Sequence, residues 1–181
     1  MREIPISKVW ELRYPWPVSF AVTRHTDGRP NIITLGWSMP TSKEPMMVAI
    51  SVAHSRFSYE SLLGSGEFVL VWPPAEWAEA ALLCGTRSGR DDTPAACDAE
   101  AGKFAAAGLE PLPATKVRPP LIEGAVACLE CVVRAICPTG DHSIFVGEVV
   151  AAHAGGGEGR LYALDGSRRM GAFAADAPRE T

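Results

Sequence analysis

Proline and glycine punctuation constrains this chain more than any other feature: fifteen prolines and seventeen glycines cut its 181 residues into short elements. Proline removes a backbone donor and clashes with the preceding turn, and interior glycine weakens a helix, so a helical bundle is disfavoured. Much of what remains between the breaks is rich in β-branched and aromatic residues. Val18-Ser19-Phe20-Ala21-Val22-Thr23 alternates apolar with small or polar side chains, Asp27-Gly28 supplies a turn, and Asn31 to Trp37 resumes the β pattern. Asp-Gly tolerates the positive φ of a type I′ turn, which makes this a hairpin signal. The flanking Arg24-His25-Thr26 and Arg29-Pro30 make its loop longer than two residues. Met46 to Val52 is a nearly unbroken apolar run, as a strand buried on both faces requires.

The period then changes. Ser58 to Gly64 reads as a short helix with Ser58 as its N-cap and Gly64 closing it. Glu67 to Trp72 returns to strand and stops at Pro73-Pro74, and Trp77 to Cys84 has high helix propensity. Gly85 to Pro120 is polar and Gly/Ala-rich, with a short helix expected around Ala95 to Ala107; it is the natural place for a lid or a partner-facing segment. Ala125 to Ile136 and Ser143 to Val150 are strands around the turn Pro138-Thr139-Gly140-Asp141. Gly155-Gly156-Gly157 reads as a flexible break and Arg160 to Leu164 as a last strand. About six hairpin-connected strands with two or three inserted short helices predict a mainly β fold. An antiparallel barrel, closed or nearly so, follows because closure removes exposed edges. Strands and helices do not alternate as a doubly wound α/β fold demands. The expectation is one domain over 1–181, with its core in 10–155 and a frayed tail at 174–181.

Composition narrows the function. Hydrophobic residues make up 47% of the chain, enough for a core, and 17 basic against 21 acidic residues leave a net charge of −4. No basic block is present, so neither a nucleic-acid footprint nor a polybasic membrane patch is expected. No stretch approaches the ~20 apolar residues that span a bilayer. Met1 to Pro5 opens no apolar signal segment, and the five cysteines are unevenly placed, which predicts free thiols in a cytoplasmic protein. Cys128-Leu129-Glu130-Cys131 has the spacing of half a zinc site, yet no second pair follows, and on a strand positions i and i+3 face opposite ways. No metal is expected.

Four places could carry chemistry. In Ser55-Arg56-Phe57-Ser58 a guanidinium, two hydroxyls and the free N–H groups of a first helical turn converge as an anion site requires. A capped helix start beside a solvated arginine accounts for the same residues. On a strand from Asn31, residues 31, 33, 35 and 37 share a face, with Thr34 opposite unless a bulge or the strand end re-aims it. Trp37 then offers a flat surface to a planar ligand, or is a core or interface aromatic. Ser38-Met39-Pro40-Thr41-Ser42 reads as a polar loop with backbone N–H groups uncommitted to a ladder, or as plain surface. His142, just after Gly140-Asp141, would donate a proton near neutrality at a barrel mouth, or is a surface turn histidine. G-x-S-x-G, P-loop and post-strand G-x-G-x-x-G motifs are absent, so hydrolase, NTPase and Rossmann functions are not indicated.

One ordered set of landmarks spans most of the chain, from Pro17 to about Val149. It comprises Asn31-Ile32-Ile33-Thr34-Leu35-Gly36-Trp37, Glu44-Pro45, Ser55-Arg56-Phe57-Ser58-Tyr59-Glu60, Ser88-Gly89, Lys103-Phe104 and Gly108-Leu109. Glu130-Cys131 and Asp141-His142-x-Ile144-Phe145-x-Gly147-Glu148-Val149 complete it. Together these resemble the flavin reductase-like family and, more narrowly, its flavoredoxin members. Met46 stands where the family often has a second proline, and Gly102 where an aspartate often precedes the Lys-Phe pair, which bears on the nicotinamide-facing side. The chain past Gly155 matches little of the pattern.

The resemblance implies an FMN-binding split barrel, a homodimer, with the flavin at the barrel edge near the subunit interface. Carried over by position, Asn31, Thr34 and Trp37 line the flavin site, and Ser38, Met39, Pro40, Thr41 and Ser42 hydrogen-bond the ring edge through their backbone. Ser55, Arg56 and Ser58 take the phosphate, Lys103 approaches from the middle segment, and His142 sits near the reactive ring. The implied activity is hydride transfer from NADH or NADPH to bound FMN, with electrons leaving to free flavin, iron or a redox partner protein. The alternatives are a carrier reduced by a protein partner and a non-catalytic FMN-binding module.

Overall fold

The computed structural model describes residues 1–91 and 102–172. A 3₁₀ turn over Ile6–Arg13 leads to β1 (Trp16–Pro17), the hairpin of β2 (Ser19–Arg24) and β3 (Pro30–Leu35), then β4 (Ser38–Lys43) and β5 (Met46–Ala53). Next come α1 (Phe57–Ser65), β6 (Glu67–Trp72), α2 (Ala78–Thr86), a 3₁₀ turn at Gly89–Asp91 and α3 (Lys103–Ala107). The short pair β7 (Pro111–Leu112) and β8 (Leu121–Ile122) precedes the long hairpin of β9 (Ala127–Thr139) and β10 (His142–Ala154). Two short strands, β11 (Leu161–Ala163) and β12 (Met170–Ala172), follow.

Seven strands form one antiparallel sheet in the order β3-β2-β6-β9-β10-β5-β4, and β1, β11 and β12 form a smaller one. This is the predicted mainly β architecture, an antiparallel split barrel with inserted short helices. Register shifts in the β9–β10 hairpin at Val146/Gly147 and Val149/Ala151 bend it around the core. The loop between β2 and β3 spans 25–29, with Gly28 at φ +91° and the His25 N–H bonded to the Arg29 carbonyl. It is longer than two residues, as its flanks imply.

Period-two alternation divides the core. Phe20, Val22, Val69 and Val71 enter one apolar cluster, closed over by Ala81 and Cys84 of α2 and Phe104 of α3. Ala21, Phe68 and Leu70 enter the other, with Ile50, Val52, Phe145 and Leu62 of α1. Each fully buried phenylalanine contributes about 1.5–3 kcal/mol of transfer free energy. Cys128 joins the first cluster and Cys131 the second, so the two thiols face opposite sides of β9. Burial pushes the Cys131 thiol up to about 12.

Several expectations need correction. α1 begins one residue earlier than predicted and ends in left-handed Gly66 at φ +65°, not at Gly64. Ser58 is no N-cap: Arg56 holds that position, and no side chain caps the helix. Ser38 to Ser42 is no loop, because β4 pairs with β5 from Ser38 opposite Ile50 to Lys43 opposite Met46, with an irregularity between Pro40 and Ser42. β9 runs on through Pro138 and Thr139. Gly155 and Gly157 are not a flexible break: their N–H groups bond to the Val126 and Ala125 carbonyls, and a Cβ on Gly155 would collide with the Ala125 carbonyl. β12 was not anticipated. Of the expected helix around 95–107 the described part is α3, while 92–101, like the tail from 173, lies outside the described residues.

The segment from 102 to 120 is no lid, since Lys103, Phe104, Leu109 and Val117 are buried. A carboxylate fastens it. Glu130 of β9, fully buried, accepts from the Thr115 N–H and hydroxyl, the Lys116 and Val117 N–H groups, and pairs with His153 Nε2 at 2.7 Å. Burial opposes its ionisation, but the hydrogen bonds from Thr115, His153 and Lys116 outweigh that and hold its carboxyl down at about 2.

Candidate functional site

Two cavities share Ile33, Ser55, Arg56 and Gly85 and form one groove beside β3. The polar end, about 190 Å³, is built from the start of α1, the end of α2 and the turn after it. The aromatic end, about 440 Å³, lies between the end of β3, the end of β5 and the β9–β10 turn.

At the polar end Asn31 is only 1% exposed. Its Nδ2 donates to Ser58 Oγ at 2.6 Å, while its equally buried Oδ1 has no hydrogen-bond partner among the described residues. An unmet buried acceptor costs about 1–3 kcal/mol, so this one calls for a donor from whatever occupies the groove. That engagement with Asn31, across 27 residues of chain, is why Ser58 turns inward instead of capping α1. Arg56 lines both ends of the groove and forms no ion pair among the described residues. With the first-turn N–H groups of α1 beside it, a cation and fixed donors face the same space.

Lys103 lines the polar end, but its ammonium is engaged. Nζ donates to the Ile32 carbonyl at 2.8 Å and the Cys84 carbonyl at 3.3 Å, tying α3 and α2 to β3. Its role is therefore partly structural, where position alone implied a cation offered to a ligand. Cys84 is pushed up to about 11 by burial, with Lys103 opposing, and stands as a thiol.

At the aromatic end β3 has already stopped at Leu35, and a bend at Gly36 frees Trp37 from the strand alternation. The Trp37 ring lies 5.0 Å from the His142 ring and 5.4 Å from Trp10 of the N-terminal turn. Thr34 lines this end, yet its hydroxyl donates to the Ala81 carbonyl at 2.6 Å and so docks α2 on β3. His142, the first residue of β10, places Nδ1 2.6 Å from Asp141 Oδ1. The hydrogen bond from His142 lowers the Asp141 carboxyl below the usual range, so it stays ionised at neutral pH.

Asn31, Thr34, Trp37, Ser55, Arg56, Ser58, Lys103 and His142 thus converge on one groove. The β4 residues do not. Ser38 and Met39 border a separate apolar cavity behind Trp37, and Met39, Pro40 and Ser42 border an apolar groove with Met47, Trp72 and Arg160. Because β4 is the sheet's edge, one side of its backbone pairs with no other strand of the sheet. Sequence reasoning missed Trp16, Gly85 and Arg87, which also line the groove. Trp16 left one signal, a Pro-Trp-Pro run before the first long strand, and Gly36 is the residue that lets it in: a Cβ there would stand 2.9 Å from Trp16 Nε1.

The model for the flavin reductase like domain matches residues 12–172 of this chain. An uncharacterised protein from Archaeoglobus fulgidus is 31% identical over 139 residues, 77% of this chain and 73% of that protein. Among solved structures, flavoredoxin of Desulfovibrio vulgaris superposes with a TM-score of 0.77 at 23% identity, covering 99% of this chain and 98% of its own. An NADH:FAD oxidoreductase from Streptomyces globisporus gives 0.77 at 22% identity, covering 97% and 99%. At such identities these likenesses establish the fold. No helix among the described residues is long and apolar enough to cross a membrane.

Proposed function

The chain belongs to the flavin reductase-like family, and from that premise we propose that it binds FMN along this groove and passes reducing equivalents from NADH or NADPH through it. The family's flavin-binding redox role is the coarse assignment; the cofactor, the donor and the residue roles are the proposal. One observation carries it: a continuous groove that runs from Ser58 at the start of α1 and the turn after α2, past Arg56, to Trp37 and His142. An anionic tail, a polyhydroxylated linker and a planar ring need those surfaces in that order.

The residues fit the group. Arg56 and the first N–H groups of α1 would hold the phosphate, with the Ser58 hydroxyl adding a donor, and charge-assisted bonds of this kind are among the strongest available. Asn31 Oδ1, which lacks a donor, would accept one from a ribityl hydroxyl. Trp37 and Trp16 would wall the ring. Bound FMN supplies a two-electron acceptor that can also release electrons singly, chemistry no side chain offers. Asp141 keeps the proton of His142 on Nδ1 and leaves Nε2 to exchange one with the ring end. Exposed Met39 and Met46 beside the apolar groove on β4 and β5 support a homodimer, the expected assembly.

The test is spectroscopic. Purified protein should bind FMN, and anaerobic NADH or NADPH should bleach the oxidised band; a band that stays oxidised with both would reassign the chain as a carrier or a binding module. Arg56→Ala should weaken FMN about 10- to 100-fold and leave riboflavin nearly unchanged. Equal losses for both would refute the phosphate assignment.

A further inference from the structure

The wall of the polar end is bolted to the start of α1 by guanidinium groups. Arg90 Nη1 donates to the Ser55 carbonyl at 2.9 Å, and its Nη2 meets Glu60 Oε1 at 2.5 Å. Arg29 reaches the Gly89 carbonyl at 3.4 Å and pairs with Asp27. Phe57 lies between these groups, with the Arg29 and Arg90 guanidinium carbons 5.3 and 5.9 Å from its ring centre. The His25 ring stacks on it at 4.7 Å and 23°. Gly89 passes so close that a Cβ would stand 2.4 Å from Phe57 and 2.5 Å from Asn31 Oδ1.

Two consequences follow. Ser55-Arg56 and Arg87-Ser88-Gly89 form opposite walls of the polar end, and they cannot separate without breaking the bonds of Arg90. The described residues leave about 190 Å³ at that end, room for one phosphate and the chain leading to it. Phe57, 7% exposed, is already covered by His25 and the two guanidinium groups, so it offers no open face on which adenine could stack.

We propose that Arg90, held by Glu60, is a positioning residue that makes the groove select a flavin ending in one phosphate over a flavin dinucleotide; this deepens the FMN assignment and rests on it. Arg90 touches no ligand in this account. It fixes the spacing of the walls that do.

Affinities for FMN, riboflavin and FAD, read by flavin fluorescence on the full chain, test it in wild type, Arg90→Met and Glu60→Ala. The two substitutions change the charge near the phosphate in opposite directions. If Arg90 acted only as a charge, Arg90→Met would weaken FMN and Glu60→Ala would tighten it. As a brace, both variants should weaken FMN about tenfold, change riboflavin less than about twofold, and lower the FMN-to-FAD ratio about tenfold, since an exposed ion pair and a carbonyl bond together contribute little more than that. Arg90→Lys, able to keep one of the two bonds, should recover part of the loss. Opposite effects of the two variants, equal losses for FMN and riboflavin, or a wild type that prefers FAD would overturn the proposal while leaving a flavin site in place. A wild type that binds no flavin, or binds FMN no better than riboflavin, would remove the FMN assignment itself.

Discussion

Gly85 stands where the two ends of the groove meet and lines both of them. It lies in α2 and does not take a positive φ, so a side chain there costs nothing in backbone conformation. Alanine should gain about 1 kcal/mol of helix propensity over glycine. Against this, a Cβ would stand 3.3 Å from Thr34 Cβ, and Thr34 is held in place by its 2.6 Å bond to the Ala81 carbonyl. The two effects nearly offset, and Gly85→Ala should melt within a few degrees of wild type. Because Gly85 lines both ends, a larger side chain there is expected to occupy the neck between them. Gly85→Val fills it. A ligand spanning both ends then loses one of them. Some 150 Å² of ring surface returned to water corresponds to about 4 kcal/mol at most, and ordering costs recovered on release reduce the net loss. FMN affinity should fall at least about thirtyfold in Gly85→Val and about threefold in Gly85→Ala. Flavin fluorescence titration beside a thermal melt of the ligand-free protein separates binding from folding. A valine variant that melts like wild type and still binds FMN within threefold would show that no ligand passes through this neck.

Two further outcomes follow from groups elsewhere in the structure. Glu130 sits near 2 when folded against an ordinary 4.5, so the folded state resists protonation and the carboxylate's contribution is complete above about pH 5.5. About 3 kcal/mol should be lost as pH falls from there toward 2, and denaturant midpoints of Glu130→Gln should be lower than wild type at pH 7 yet converge with it near pH 2; parallel curves would contradict the assignment. His142→Ala should slow anaerobic flavin reduction by NADH or NADPH about 10- to 100-fold and leave the preference for FMN over riboflavin intact, because His142 lines only the aromatic end. A variant that instead loses that preference would place His142 at the tail.

What the sequence made legible, and what it hid, divides along a physical line. Strands whose faces enter two apolar clusters, such as β2 and β6, declare themselves by composition and turn chemistry, which act over neighbouring residues. β4 does not, because an edge strand with mostly exposed side chains carries the polar sequence of a loop, and it becomes a strand only when β5 lies beside it. Ser58 shows the same limit inside the site. Its chemistry at a helix start is legible locally, but whether its oxygen caps α1 or meets Asn31 depends on a strand that ends 22 residues before α1 begins. Lys103 and Arg90 extend the point: nothing local shows which carbonyls their cations will meet, yet Lys103 docks two helices on β3 and Arg90 ties the turn after α2 to the residues before α1. Residue types name the chemistry a site can perform, while the width of a groove depends on such cross-braces, so the proposed preference for one phosphate over a dinucleotide is to be tested at Arg90 and Glu60 as well as at the residues a ligand would touch.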